Sequence, residues 1–360
     1  MGGGTIRRTR KTTGWINPPS IMHKIKRLIE ERTAVSCQPK VIIMLKVIFM
    51  GTADFGAPAL EKLSDNKENK VMVVAQPDRP QGRGRKILPN PIKKIALYKG
   101  LEVFQPEDIN AEESLKRLEE FNPDIILVIA YGQILSHHVL NIPKIGCINI
   151  HGSLLPKYRG AAPINRAIIN GEKETGITYM FMNEKVDAGD IIFQKKIDIL
   201  PDETYGDLYY RLSTLSAETL PKLLEKIKSG KIDRFSQNIK LVTFTRKMNK
   251  EEGKIDWSDK GEKIYNLIRG ITPYPGAFTY LKGKKLKITK VRFLNDNQDK
   301  VYAVSFEPGR VVKIGKESIS IYTGDKGIIK ILKLIPAGSK ELTAEQFING
   351  YQIKVGDVLG

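Results

Sequence analysis

Ile148-Asn149-Ile150-His151-Gly152-Ser153-Leu154-Leu155-Pro156-Lys157-Tyr158-Arg159-Gly160-Ala161-Ala162-Pro163 closes an apolar run and then breaks into glycine, proline and polar residues. A short apolar segment bounded by such breakers reads as a buried strand. Asn149 and His151 stand two positions apart, so a strand or its extension turns both side chains to one face. That puts a carboxamide beside an imidazole where an open α/β sheet meets its ligands, at the carboxyl ends of its strands. Downstream, Val186-Asp187-Ala188-Gly189-Asp190 offers a carboxylate in a turn between two further apolar segments. Together Asn149, His151 and Asp187 suit acyl transfer. Singly, Asn149 reads equally as a strand-end cap, His151 as a satisfied buried histidine and Asp187 as a turn aspartate bonding its own backbone. Asp190 lies close enough to be confused with it.

Working outward, apolar runs at 45–50, 71–75, 125–130 and 147–150 predict buried parallel strands, with helical patterns between them, as at 111–121. Strand–helix alternation predicts a doubly wound, mostly parallel α/β sheet. Met50-Gly51-Thr52-Ala53-Asp54-Phe55-Gly56 forms a tight strand-to-helix turn. It lacks the Gly-x-Gly-x-x-Gly spacing, which argues against NAD. Past Asp190, Ile191-Ile192-Phe193 and 197–199 read as short strands. Thr204 and Asp207 read as a capping box, and Leu208, Leu212, Leu215, Leu223 and Ile227 as one helix face that continues past Pro221. Ser229-Gly230-Lys231 ends that helix. Residues 235–250 read as a crossing segment. Beyond it, a helix at 264–268 and short β stretches at 286–288, 311–312 and 328–332 predict a small barrel.

At 360 residues two domains are expected. The expected division is an extension at 1–43, a catalytic domain at 44–235, a linker at 236–250 and a C-terminal domain at 251–360. Residues 1–43 carry Gly2-Gly3-Gly4, Arg7-Arg8-Thr9-Arg10-Lys11 and Pro18-Pro19. They read first as a mis-assigned start or disordered extension and second as an organelle transit segment; no apolar core of a secretory signal is seen. A bacterial cytoplasm is expected, or an organelle only if residues 1–43 are a transit segment. No apolar run is long enough to cross a membrane, so no membrane role is expected. The two cysteines, Cys37 and Cys147, exclude a disulfide framework and fit a reducing compartment. Cys147, in an apolar strand, reads as inert packing.

The formal charge is +19, from 59 Lys and Arg against 40 Asp and Glu. Such a surplus favours a polyanionic partner, although charge alone fits a solvated lysine-rich surface equally well. Lys282, Lys284, Lys285, Lys287 and Lys290 are dense and follow Phe278 and Tyr280, a mixture suited to nucleic acid. His137 and His138 are adjacent and diverge, His23 lies outside the fold, and no Cys or His cluster has metal spacing, so no metal is expected.

Residues 148–163 closely resemble the 10-formyltetrahydrofolate-dependent formyltransferases, whose shared Asn-x-His-Gly-Ser-Leu-Leu-Pro run stands here from Asn149 to Pro156. The continuation Arg159-Gly160-Ala161-Ala162-Pro163-Ile164 is similar to the branch of that family acting on charged initiator tRNA. So are Gln76-Pro77-Asp78-Arg79-Pro80-Gln81-Gly82-Arg83-Gly84-Arg85-Lys86, Gly253-Lys254-Ile255-Asp256-Trp257 and Pro273-Tyr274-Pro275-Gly276-Ala277. The likeness runs from about Met44 to the last residues. It implies a Rossmann-like formyltransferase domain and a C-terminal oligonucleotide-binding-like barrel. The implied reaction moves the formyl group of the co-substrate 10-formyltetrahydrofolate to the α-amine of methionyl initiator tRNA, with the enzyme acting as a monomer.

In that reaction Asn149 can donate to the developing oxyanion, and His151 is of the residue type that exchanges protons near neutrality. Asp187 can orient the imidazole and stabilise its charged form. The resemblance further implies that Ser153, Leu154, Leu155 and Pro156 form a folate wall. It also implies that the strand exit Val128-Ile129-Ala130-Tyr131-Gly132-Gln133-Ile134-Leu135 cradles the pterin, with Ala130, Tyr131 and Gln133 as contacts. The basic loop 81–86 would engage tRNA through Arg83, Arg85 and Lys86, and the barrel through Lys284, Lys285 and Lys287. The competing readings are a formyltransferase for a sugar amine or glycinamide ribotide, and a catalytically idle RNA-binding relative.

Overall fold

The computed structural model describes residues 44–81, 86–294 and 305–360. The expectations for residues 1–43, Arg83 and Arg85 lie outside the described residues. The chain enters through β1 (Lys46–Gly51), α1 (Ala57–Asp65), β2 (Lys70–Val74) and a hairpin of β3 (Arg79–Gln81) and β4 (Lys86–Leu88). It continues through α2 (Pro91–Tyr98), β5 (Glu102–Phe104), α3 (Glu112–Phe121), β6 (Ile125–Ile129), α4 (His137–Asn141) and β7 (Gly146–His151). Then follow β8 (Arg159–Gly160), α5 (Pro163–Ile169), β9 (Glu174–Phe181), β10 (Ile191–Asp198) and α6 (Tyr205–Lys228).

Seven strands form one sheet in the order β10-β9-β7-β6-β1-β2-β5. The pairs from β7 to β5 are parallel, and β9 and β10 are antiparallel additions. Both faces are covered because β6 is apolar at every position and β1 is apolar at 47–50. Val47, Phe49, Ile125, Leu127 and Ile129 pack with α1, α2, α5 and α6. The alternate residues Ile48, Met50, Ile126 and Val128 pack with α3 and α4. Strand order reverses between β1 and β6, and the carboxyl ends of strands at such a point are where open α/β sheets take their ligands.

The long helix α6 starts at a capping box in which Thr204 Oγ1 accepts from Asp207 N and Asp207 Oδ2 accepts from Thr204 N. It runs through Pro221 without a break, since Leu208, Leu212, Leu220, Leu223 and Ile227 bury one stripe on the sheet. The segments 191–193 and 197–199, expected as two short strands, are joined in one strand, β10, which ends at Asp198. The polar Gln194, Lys195 and Lys196 between them hid its continuity, and a bulge lies between Ile191 and Phe193. Strand β9 had no sequence expectation, although seven of its eight residues are buried. Its Thr175, Gly176 and Thr178 interrupt the apolar signal.

Past β11 (Phe244–Thr245) come α7 (Gly261–Gly270), β12 (Ala277–Leu281), β13 (Lys284–Leu294), β14 (Val311–Ile314), β15 (Ile319–Tyr322), β16 (Ile328–Pro336), β17 (Leu342–Thr343) and α8 (Ala344–Gly350). Their strands run β12-β13-β16-β15-β14, with β17 on β16. Leu359 bridges Leu281 of one edge strand and Val358 bridges Arg310 beside the other, so the chain end joins the two edges. This sheet has its own core, from Ile255 to Leu359, separate from the core spanning Leu45 to Ile232. The two units meet where Asn165 Nδ2 of α5 donates to Gly270 O of α7 (2.8 Å) and Arg166 pairs with Glu252.

Leu212 is fully buried in α6. Leu212→Ala is expected to cost about 2–5 kcal/mol, measured as a lower urea midpoint for the unit built on the seven-stranded sheet; an unchanged midpoint would exclude α6 from the core.

Candidate active site

Strand β7 carries Cys147, Asn149 and His151 on one face, while Ile148 and Ile150 enter the core on the other. Cys147 lies at the buried end, and burial pushes its thiol pKa up, consistent with inert packing. Asn149 and His151 come at the carboxyl end, beside Met180 and Thr178 of β9.

Asp187 reaches this pair from the turn before β10. Its Oδ2 accepts the Gly160 backbone N–H at 2.7 Å and lies 3.5 Å from His151 Nδ1. Its Oδ1 accepts a longer hydrogen bond from Asn149 Nδ2 at 3.4 Å. The His151 and Asp187 side chains are only 8% and 14% exposed, so their interaction is little screened by water. The other ring nitrogen, His151 Nε2, lies 2.9 Å from Tyr158 O. A carbonyl only accepts, so Nε2 carries a proton and the exchangeable position is Nδ1, on the Asp187 side. Tyr158 is itself held: its N–H donates to Thr243 Oγ1 (2.8 Å) and its hydroxyl to Glu172 (2.8 Å).

Two glycines make this approach possible. Gly160 has φ +100°, and a Cβ there would meet Thr245 O at 2.4 Å; at Gly189 a Cβ would meet Phe181 O at 1.7 Å. Asp187 itself has φ +49°, in the left-handed region that aspartate tolerates better than most residues. Residues 235–245, part of the stretch 235–250 expected only as a crossing segment, lie along both loops. Phe235 exchanges backbone bonds with Ile191, Gln237 bonds the Asp187 turn and Arg159, and β11 pairs with β8. These contacts had no sequence signal, because Gln237, Thr243 and Thr245 sit in no motif or periodic pattern.

The expected folate residues divide. Ser153 is fully buried, with its hydroxyl donating to Lys157 O and its carbonyl accepting from Thr178 Oγ1. Leu155 is 3% exposed; its N–H donates to Thr178 Oγ1 and its carbonyl accepts from Gln194. These two residues bond within the loop, while Leu154 and Pro156 are half-buried. Both ends of the Gln133 amide are engaged, Oε1 by Ile109 N–H and Nε2 with Glu107 O, so its side chain ties a neighbouring loop. Ala130 is exposed at φ +48°. Tyr131 is 2% exposed, and its hydroxyl has no hydrogen-bond partner among the described residues; the same holds for Gln76 Nε2. Thr52 links these two strand ends, donating to Tyr131 O and accepting from Gln76 N–H.

Lys86 is exposed at the start of β4. On β13, Lys284 is exposed, Lys285 Nζ sits 3.4 Å over the Phe278 ring and Lys287 Nζ contacts Pro275 O. Among the described residues no group of three His, Cys, Asp or Glu could hold a metal ion, and no helix is long and apolar enough to cross a membrane. His137 instead bonds Glu184 at 2.9 Å.

Comparison with known proteins matches residues 45–224 to the formyl transferase family and residues 247–352 to the formyl transferase C-terminal domain. The methionyl-tRNA formyltransferase of Geobacter metallireducens is 45% identical over 316 residues, 88% of this chain and 99% of that protein. That of Halothermothrix orenii is 44% identical over 322 residues, 88% and 100% of the two chains. Among solved structures, the N-formyltransferase from Helicobacter canadensis in complex with folinic acid and dTDP-3-aminofucose shares the fold, with a TM-score of 0.60 and 20% identity over 80% of this chain and 99% of that one. HypX from Aquifex aeolicus in complex with tetrahydrofolic acid has a TM-score of 0.59 and 17% identity over 87% and 48%.

The His151 assignment is open to nitrogen NMR. The neutral ring is expected as the Nε2–H tautomer; an Nδ1–H tautomer would overturn the placement of the exchangeable proton.

Proposed function

Since the chain belongs to the methionyl-tRNA formyltransferase family, it is a one-carbon transferase, and we propose that Asn149, His151 and Asp187 pass a formyl group from 10-formyltetrahydrofolate to the α-amine of methionyl initiator tRNA. The observation that carries the reading is the Asp187 carboxylate, 3.5 Å from His151 Nδ1 and within reach of Asn149 at the carboxyl end of β7. The reduced folate supplies the formyl group on N10. The amine nitrogen bonds to the formyl carbon as the bond from that carbon to N10 breaks. One proton leaves the amine and one arrives at N10, so the exchange balances.

Each side chain has a part suited to its geometry. One Asn149 N–H points at Asp187, and the second can donate to the formyl oxygen as negative charge grows there. Such a donor is worth roughly 10²–10³ in rate. His151 takes or gives its proton at Nδ1, and Asp187 offsets the positive charge that results. Leu154 and Pro156 suit the flat folate, and the unpartnered Tyr131 hydroxyl and Gln76 amide suit its polar edge. Residues 44–235 serve as the catalytic unit and 251–360 as the tRNA-binding unit, joined by 236–250. Lys86, Lys284, Lys285 and Lys287 are the proposed phosphate contacts, together with Arg83 and Arg85, which lie outside the described residues. A monomer working in a bacterial cytoplasm completes the reading.

With 10-formyltetrahydrofolate and charged initiator tRNA, the protein is expected to give formylmethionyl-tRNA; a sugar amine taken instead would refute the acceptor. His151→Ala is expected to lower kcat by about 10²–10⁴-fold with the melting temperature kept, and a fully active variant would remove His151 from the chemistry. Replacing Lys284, Lys285 and Lys287 together by Ala is expected to weaken tRNA binding. The slope of log K against log salt should flatten by about 1 for each phosphate no longer neutralised; an unaltered slope would show that this face does not touch the tRNA backbone.

A further inference from the structure

Gln237 lies in the segment between the two units, and both ends of its side-chain amide are engaged at the active site. Its Nε2 donates to the carbonyls of Asp187 (2.9 Å) and Gly189 (2.8 Å). Its Oε1 accepts from Arg159 Nε (3.0 Å) and Nη2 (2.8 Å). One carboxamide thus ties the turn bearing Asp187 to the strap whose Gly160 N–H holds the Asp187 carboxylate. Only a group that donates on one side and accepts on the other can make this tie.

The tie has physical work to do. Asp187 sits at φ +49°, a conformation that must be held by its surroundings. Arg159 is 9% exposed, and burial draws its pKa down, against the pull of the Asp187 charge. A buried guanidinium needs an acceptor, and Gln237 Oε1 supplies it. The neighbours of Gln237 stitch the same turn: Arg234 Nε is 3.6 Å from Asp190, Phe235 and Ile191 exchange backbone bonds, and Ser236 donates to Asp190 at 3.1 Å. Farther on, Thr243 O accepts the Arg159 N–H, and β11 lies on β8.

We propose that Gln237 is a positioning residue that holds the Asp187 carboxylate against His151 from the segment leading to the C-terminal unit. The inference rests on the catalytic reading of Asp187. Gln237→Glu separates the two halves of the tie. It keeps an acceptor for Arg159 but loses both donors and sets a carboxylate against two carbonyl oxygens. Gln237→Ala removes both halves.

The test is steady-state kinetics of the full chain with charged initiator tRNA and 10-formyltetrahydrofolate, for Gln237→Ala, Gln237→Glu, Asp187→Asn and the Gln237→Glu/Asp187→Asn double variant. Both Gln237 variants are expected to lose about 10- to 100-fold in kcat with both KM values little changed. In the Asp187→Asn background the Gln237→Glu change should cost little more, since both act through one carboxylate. Wild-type kcat in Gln237→Glu, full additivity in the double variant, or an effect confined to KM would each overturn the proposal. Wild-type activity in Asp187→Asn would overturn the catalytic reading as well, whereas an inactive Asp187→Asn beside active Gln237 variants would overturn the positioning role alone.

Discussion

One carboxylate organises this site. Asp187 meets a backbone N–H from the 158–161 loop, an imidazole nitrogen and a carboxamide from β7, in a setting largely closed to water. A charge so placed is stable only if its partners are fixed, because a buried ion with a loose partner bears its desolvation penalty uncompensated. The loops around it are accordingly held on both sides: Tyr158 by Thr243 and Glu172, and the Asp187 turn by the Phe235–Ile191 bridge.

The fold makes that meeting possible by arithmetic of the strands. Cys147, Asn149 and His151 share a face because side chains alternate, and β7 lies next to β6, which borders the point where strand order reverses. The apolar residues of β1 and β6 fill both faces, so the strand ends are set by a close-packed interior. Polar groups at those ends then project from a rigid base. The antiparallel β9 extends the sheet past β7 and supplies Thr178, which bonds Ser153 and Leu155 and so shapes the loop that leads to Tyr158.

Much of this was legible from local pattern. The runs at 45–50, 71–75, 125–130 and 147–150 are strands, Thr204 and Asp207 do cap a helix, and Leu208, Leu212, Leu223 and Ile227 do mark its buried stripe. Each of these signals is carried by residues within one or two turns or strand repeats of each other. Residues whose roles depend on distant partners were not legible. Ser153 and Leu155 were read from their place in the motif, and nothing local announced that Thr178 and Gln194 bond them. Gln133 stood beside the pterin strand exit, yet both ends of its amide hold residues 107 and 109.

The chain's own pattern determined the α/β class, the existence of the parallel strands β1, β2, β6 and β7, the β-rich second unit and the residue types of the Asn149, His151 and Asp187 set. These follow from periodicity and short-range chemistry, which the chain carries in consecutive positions. Tertiary structure alone decided that Asp187 lies on His151 Nδ1 rather than Nε2, and that Gly160 is its backbone donor. It alone decided that residues 236–245, part of the expected linker 236–250, brace the site. The reason is that hydrogen bonds between residues 27, 50 or 85 positions apart depend on how whole strands and loops pack, and no local pattern records that packing.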